Sequence, residues 1–306
     1  MNNTLIGALA VVVAALLWSL DGFLRQSLYS LPPAVVVFWE HVFGVIVLSP
    51  LLVASWQKFR AINKKQWQAI ALVSFLSGAL GTVLYTAALG KIQFIPFSVV
   101  VLLQQLQPLF AIAAAAVLLR EPISRRFFGL TVAALIAAYF VAFPELRVTQ
   151  VAGGMLAAAL LAVGAAASWG ISTAFSKYAL NNTSFLHVTA ARFGLTPLFA
   201  LLFVLFLGQQ ESLFALPASA WQTILAITFS TGLVALAIYY FGLKRIPASR
   251  STLLELAWPL SAALVGYVFL DDRLTATQWV GAAVLLIVMW LVERDAQAIA
   301  AARSSA

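Results

Sequence analysis

The chain has 306 residues, of which 63% are hydrophobic and 9% charged, with a net charge of +8 and no cysteine. So little polar surface cannot solvate a globule of this length, which excludes a water-soluble domain and makes the bilayer the solvent. The lack of cysteine excludes a disulfide framework and thiolate chemistry, and His41 and His187 are too few and too separated to hold a metal.

At about 20 apolar residues per crossing, the hydrophobic runs predict spans over residues 5–23, 35–54, 69–89, 94–119 and 127–143. A second set follows over 151–172, 185–207, 221–243, 249–270 and 277–292. The runs are continuously apolar, without the alternation of a barrel strand, so each backbone is satisfied as a helix. No basic residue precedes the first run and nothing after Phe23 resembles a cleavage site, so that run is expected to remain a span. The expected fold is an all-α integral membrane protein of ten transmembrane helices. Two five-helix repeats cover 1–148 and 149–293, with a cytoplasmic tail over 294–306.

Charge orients the spans. With the N-terminus cytoplasmic, thirteen of the 18 Lys and Arg fall in cytoplasmic segments and four, Arg25, Lys91, Arg147 and Arg273, in outside loops; only Arg192 is left inside a span. That asymmetry places both termini in the cytoplasm and accounts for the net charge without nucleic acid as a partner; the expected location is a bacterial inner membrane. The expected partners are the lipid bilayer and a small-molecule substrate, with the protein a monomer or weak homodimer and no cofactor.

The halves repeat each other. Trp18 matches Trp169, Phe43-Gly44 matches Phe193-Gly194, Tyr85 matches Tyr239, and Pro108 matches Pro259. Glu121 matches Asp272, Ser124 matches Thr275 and Gly129 matches Gly281. Because each half crosses five times, the second enters from the opposite face, and the two are inverted about an axis in the membrane plane.

Spans four and nine carry the candidate site. They read Gln104-Gln105-Leu106-Gln107-Pro108 and Glu255-Leu256-Ala257-Trp258-Pro259, polar or amphipathic residues just ahead of a proline. Pro108 and Pro259 each displace the carbonyl four residues back, that of Gln104 and of Glu255. Non-helical backbone at membrane depth is tolerated against protein or a water-filled cavity. Gln104 and Gln107 lie three apart, as do Glu255 and Trp258, so each pair is expected to share a face lining one cavity. Interhelical bonding by the glutamines is the competing role.

Glu255 and Arg192 sit at similar depth, so Glu255 fits three roles: ion pair with Arg192, or with Arg250 or Lys244 nearer the surface, acid for a substrate ammonium, or proton site. Asp21, Arg25, Glu40 and His41 form a second polar group close to the opposite interface, where hydration is expected. Trp56, Trp67, Trp221, Trp279 and Trp290 fit an interfacial belt. The deeper Trp18, Tyr85, Trp169, Tyr239 and Trp258 fall on repeat-matched or proline-adjacent positions and are expected to line the cavity. The loops 90–96 and 244–251 match in the repeat, so the hairpins they join are expected to tilt as paired gates.

Trp169-Gly170, Pro108, Pro259, Arg192-Phe193 and Arg120-Glu121-Pro122 followed by Gly129 resemble the ten-helix drug/metabolite transporter superfamily, specifically its EamA-type members, from residue 5 to 292. The first half departs from that pattern: Ser19 stands where Trp-Gly is usual, and Glu40-His41 where an arginine is common. The aromatic content and polar fourth span are similar to the YddG group, and the resemblance implies export of aromatic and other neutral amino acids. Drug, purine or sugar export is the alternative within the superfamily. Membrane enzymes fit less well, since neither a His-Glu-x-x-His run nor a nucleophile elbow is present, and no phosphate loop precedes Lys91. No charged ring or carbonyl filter motif speaks for a channel.

Overall fold

The computed structural model describes residues 3–91, 94–119, 124–142, 154–180, 183–246, 251, 254–255 and 257–304. Ten helical elements in chain order carry the fold. They are α1 (Asn3–Leu28), α2 (Pro33–Ala54), α3 (Lys64–Leu89), α4 (Phe97–Gln104 and Gln107–Leu119) and α5 (Arg125–Ala142), then α6 (Met155–Leu180), α7 (Phe185–Phe206), α8 (Ala218–Arg245), α9 (Ala257–Phe269) and α10 (Ala276–Ser304). Seven of them, α1 to α4 and α6 to α8, are long and apolar enough to cross a bilayer, while α9 and the 276–292 stretch of α10 are shorter apolar helices. The fold is all-α, ten membrane helices in two inverted five-helix repeats. The residues expected as a tail continue α10 to Ser304.

Local chemistry sets the helix starts. Pro33 opens α2, where its missing N–H would be unpaired anyway. Asn63 and Gln66 form a capping box at α3. Ser124 Oγ accepts from the Phe127 N–H at α5, and Thr275 with Gln278 does the same at α10, so the repeat-matched pair Ser124 and Thr275 serve as matching caps. At α4 the cap comes from the other half: Asp272 accepts from both the N–H and the hydroxyl of Ser98 at 2.8 Å. Glu121, its expected match, lies outside the described residues, as do Arg120, Pro122 and Arg147 and parts of the two gate loops.

The packing obeys the inversion. α1 rests on α8 as α6 rests on α3, and α1 meets α9 as α6 meets α4; α2 pairs with α7, α4 with α9 and α5 with α10 across the axis. Glycines permit the closest approaches. A side chain on Gly44 would collide with the Phe193 ring, and one on Gly170 with the Gln107 carbonyl. Val117, Phe128, Leu198, Leu202 and Leu264 point outward, as lipid-facing side chains must.

Two departures from regular winding position the site. α4 breaks at a turn over Gln105 and Leu106, directly before Pro108, as the proline demands. α3 and α8 each contain a π-helical stretch, Ser74–Gly81 and Thr228–Gly232, whose first residues are 154 apart, the same spacing as Tyr85 and Tyr239.

Candidate functional site

A cavity lies between the halves, about midway along the helices. Its whole void, open mouth included, is about 1020 Å³. Eight of the ten helical spans contribute to it: Trp18, Asp21 and Arg25 from α1, Glu40 and His41 from α2, Ser77, Thr82 and Tyr85 from α3, and Gln107 from α4. The second half adds Trp169, Ser172, Thr173 and Ser176 from α6, Arg192 and Phe193 from α7, and Thr231, Gly232, Leu236, Tyr239 and Tyr240 from α8. Glu255 and Trp258 complete the wall at the start of α9.

The aromatic walls follow the repeat. Trp18 and Tyr239 bring ring centroids to 5.1 Å, and their counterparts Trp169 and Tyr85 to 5.6 Å. Trp258 packs edge-on against Trp169 at 6.3 Å. Trp169 is fixed by donating its Nε1 hydrogen to the Ser77 carbonyl at 3.1 Å, inside the π-helical stretch of α3, where the absent side chain of Gly81 leaves room for the indole. A π-helical turn opens the backbone by one residue and lets its carbonyls take outside partners.

Charge is concentrated at the end of the cavity away from the N-terminus. Arg25 pairs through Nε with Asp21 and through Nη2 with Glu40 at 2.7 Å, and its Nη1 donates to Thr86 Oγ1 at 3.3 Å. The Thr231 hydroxyl donates to Asp21 Oδ1 at 2.5 Å. One guanidinium thus ties α1, α2 and α3 together, and Asp21 extends the tie to α8. At the other end, Arg192 donates to the Tyr240 hydroxyl and to Ser77 Oγ, both at 2.9 Å. Glu255 Oε1 accepts from Tyr239 at 2.8 Å and from Ser251 at 3.1 Å.

Most residues singled out by sequence are brought together here: Trp18, Tyr85, Gln107, Trp169, Arg192, Tyr239, Glu255 and Trp258 all face the void. Gln104 does not; it is 0% exposed and behind the wall. Reading 104 and 107 as one helical face assumed a continuous helix, and the break after Gln104 removes that register. Pro108 and Pro259 are buried beside the cavity and do not line it.

The Arg192–Glu255 pair is also corrected. Among the described residues Arg192 has no carboxylate partner, and Glu255 is held by hydroxyls instead. A third correction concerns Asp21, Arg25, Glu40 and His41. Counting Arg25 as a loop residue ended the first span at 23, but the helix continues, α2, α3 and α8 cover it, and Arg25 is 2% exposed. His41 is packed against Phe193 at 4.7 Å and bonded to the Val37 carbonyl. The hydroxyl row of α6, Ser168, Ser172 and Ser176 at four-residue spacing, escaped the sequence reading although a polar stripe in an apolar helix is visible there.

An inverted pair of five-helix bundles enclosing a polar and aromatic cavity defines an inverted-repeat membrane transporter. The chain belongs to the EamA-like transporter family, whose family model matches residues 5–143 and again 156–294. It is 32% identical to the riboflavin transporter ImpX of Fusobacterium nucleatum over 292 residues, covering 94% of this chain and 97% of that one. It is 30% identical over 141 residues, 45% of each chain, to the uncharacterized transporter YwfM of Bacillus subtilis. A crystal structure superposes with a TM-score of 0.59 at 20% identity, covering 94% of this chain and 98% of that chain, a likeness of fold alone.

Proposed function

We propose that this transporter carries a flat, ring-bearing metabolite of the flavin class by alternating access to the central cavity. The observation that carries the reading is the pair of repeat-matched Trp–Tyr contacts lining one void, with Trp258 packed against Trp169 of one of them. Two aromatic walls suit a fused ring, which stacks on either face. The hydroxyls of Ser172, Thr173 and Ser176 along α6 suit a polyol side chain. The 32% identity to a protein named for riboflavin, over nearly the whole of both chains, supports the same class. Inverted halves exchange conformations as they open to one side and then the other, moving the solute past a fixed site. The carrier sits in a bacterial inner membrane with both termini cytoplasmic, on the side that holds thirteen of the 18 basic residues.

Export of aromatic and other neutral amino acids is the second reading. Arg192 and Glu255 are opposite charges on one wall that do not pair with each other, an arrangement suited to a zwitterion.

Counterflow in proteoliposomes decides between them. Vesicles loaded with unlabelled riboflavin are expected to take up labelled riboflavin saturably, with little competition from phenylalanine or tryptophan. Competition by the amino acids without riboflavin flux would replace the first reading by the second, and flux that never saturates would remove the carrier. Trp258→Ala is expected to raise the half-saturation concentration by about threefold to tenfold.

A further inference from the structure

Buried polar atoms in a folded protein are nearly all hydrogen-bonded, and each exception asks for an explanation. Among the described residues, the cavity wall carries three such atoms, Tyr85 Oη, Arg192 Nε and Trp258 Nε1. The tyrosine hydroxyl, able to donate or accept, stands beside the Asp21 carboxylate. The other two can only donate.

Arg192 is unusual in charge as well as geometry. Its two terminal nitrogens are satisfied by the neutral hydroxyls of Tyr240 and Ser77, so the positive charge has no carboxylate against it among the described residues, in contrast to Arg25 with two. Arg192 is half-buried inside a span, where charged side chains ordinarily pair with one another. The two free donors are linked by one chain of contacts through Trp169 and Ser77. Trp258 packs on Trp169, Trp169 Nε1 bonds the Ser77 carbonyl, and Ser77 Oγ bonds Arg192.

We propose that Arg192 Nε and Trp258 Nε1 form a reading edge for hydrogen-bond acceptors on the solute, either adjacent ring carbonyls or a carboxylate, while the Trp–Tyr pairs hold its ring. This deepens the proposed transport of a ring-bearing solute and rests on it. Acceptors along a carbonyl or carboxylate edge complete these donors and supply the negative potential that Arg192 lacks. A solute with the same ring and no such edge leaves both donors unmade, so the site discriminates by chemistry where stacking alone cannot.

The test measures binding to the purified full-length protein by competition against labelled riboflavin, and directly by quenching of tryptophan emission. The probes are alloxazine, which has a three-ring frame with two carbonyls, and phenazine, which has a three-ring frame with none. Wild type is expected to prefer alloxazine by about tenfold or more. Arg192→Gln and Trp258→Phe, the second of which keeps an aromatic ring and removes only the N–H donor, are expected to bring the two probes toward equal affinity. If only amino acids bind, phenylalanine should exceed its methyl ester by a similar factor, and the edge then reads a carboxylate. Equal binding of alloxazine and phenazine by wild type, or of phenylalanine and its ester, overturns the reading edge and leaves the aromatic site standing. Failure of every ring compound to bind overturns the transport reading and the edge with it.

Discussion

At the scale of single residues, Arg25 is the most connected ion among the described residues. It faces two carboxylates in a site where Asp21, Arg25 and Glu40 are all less than 10% exposed. Removing it leaves two like charges buried together, so Arg25→Leu is expected to cost about 3–5 kcal/mol, read as a lowered unfolding temperature in detergent. Glu40→Gln acts differently, since it leaves one guanidinium against one carboxylate and retains an acceptor for Arg25; a loss of no more than about 1 kcal/mol is expected. Equal damage by both substitutions would show that Arg25 is not the centre of the cluster. The same residues show what sequence could convey. Tryptophan, tyrosine and proline positions were legible because the repeat fixes them twice. Arg25 was not, because nothing local distinguishes a charge just past an apolar run from one folded back under three neighbouring helices.

At the scale of the helices, glycine placement separates contact from free surface. Gly44 faces the Phe193 ring where α2 crosses α7, so Gly44→Leu overfills the crossing and is expected to cost at least about 1–3 kcal/mol. Gly129 in α5 has nothing within 4 Å of an added methyl group, so Gly129→Ala is expected to be neutral or to stabilise by up to about 1 kcal/mol through helix propensity. Thermal unfolding of the two variants side by side checks both. Spans were readable from hydropathy because the bilayer imposes their length. The interruption of α4 was half readable: Pro108 announces a disturbance, but whether the helix bends or breaks depends on what receives the freed carbonyls. Gln104 was misplaced for that reason. The π-helical stretches of α3 and α8 were not readable at all, and the partners they meet, Trp169 at the Ser77 carbonyl and Asp21 at the Thr231 hydroxyl, lie far along the chain.

At the scale of the whole molecule, the absence of cysteine makes introduced thiols unique reporters. Phe23 and Phe269 touch at 5.2 Å where α1 and α9 end, and Phe185 and Phe241 at 5.4 Å on the opposite side where α7 begins and α8 ends. Cysteines placed at either pair and joined by a short bismaleimide are expected to abolish at least nine-tenths of riboflavin counterflow, as each bridge holds one side shut in a cycle that needs both. Full transport with both bridges in place would rule out opening at those ends. The inversion itself was legible from an odd number of spans and a matched string of residues; which helices meet across the axis required the fold.

The widened turns of α3 and α8 begin 154 residues apart, the interval that also separates Tyr85 from Tyr239. Sharp bends in helices gather at such turns, so each half holds its yielding point at a matched place, one loosened turn behind each tyrosine.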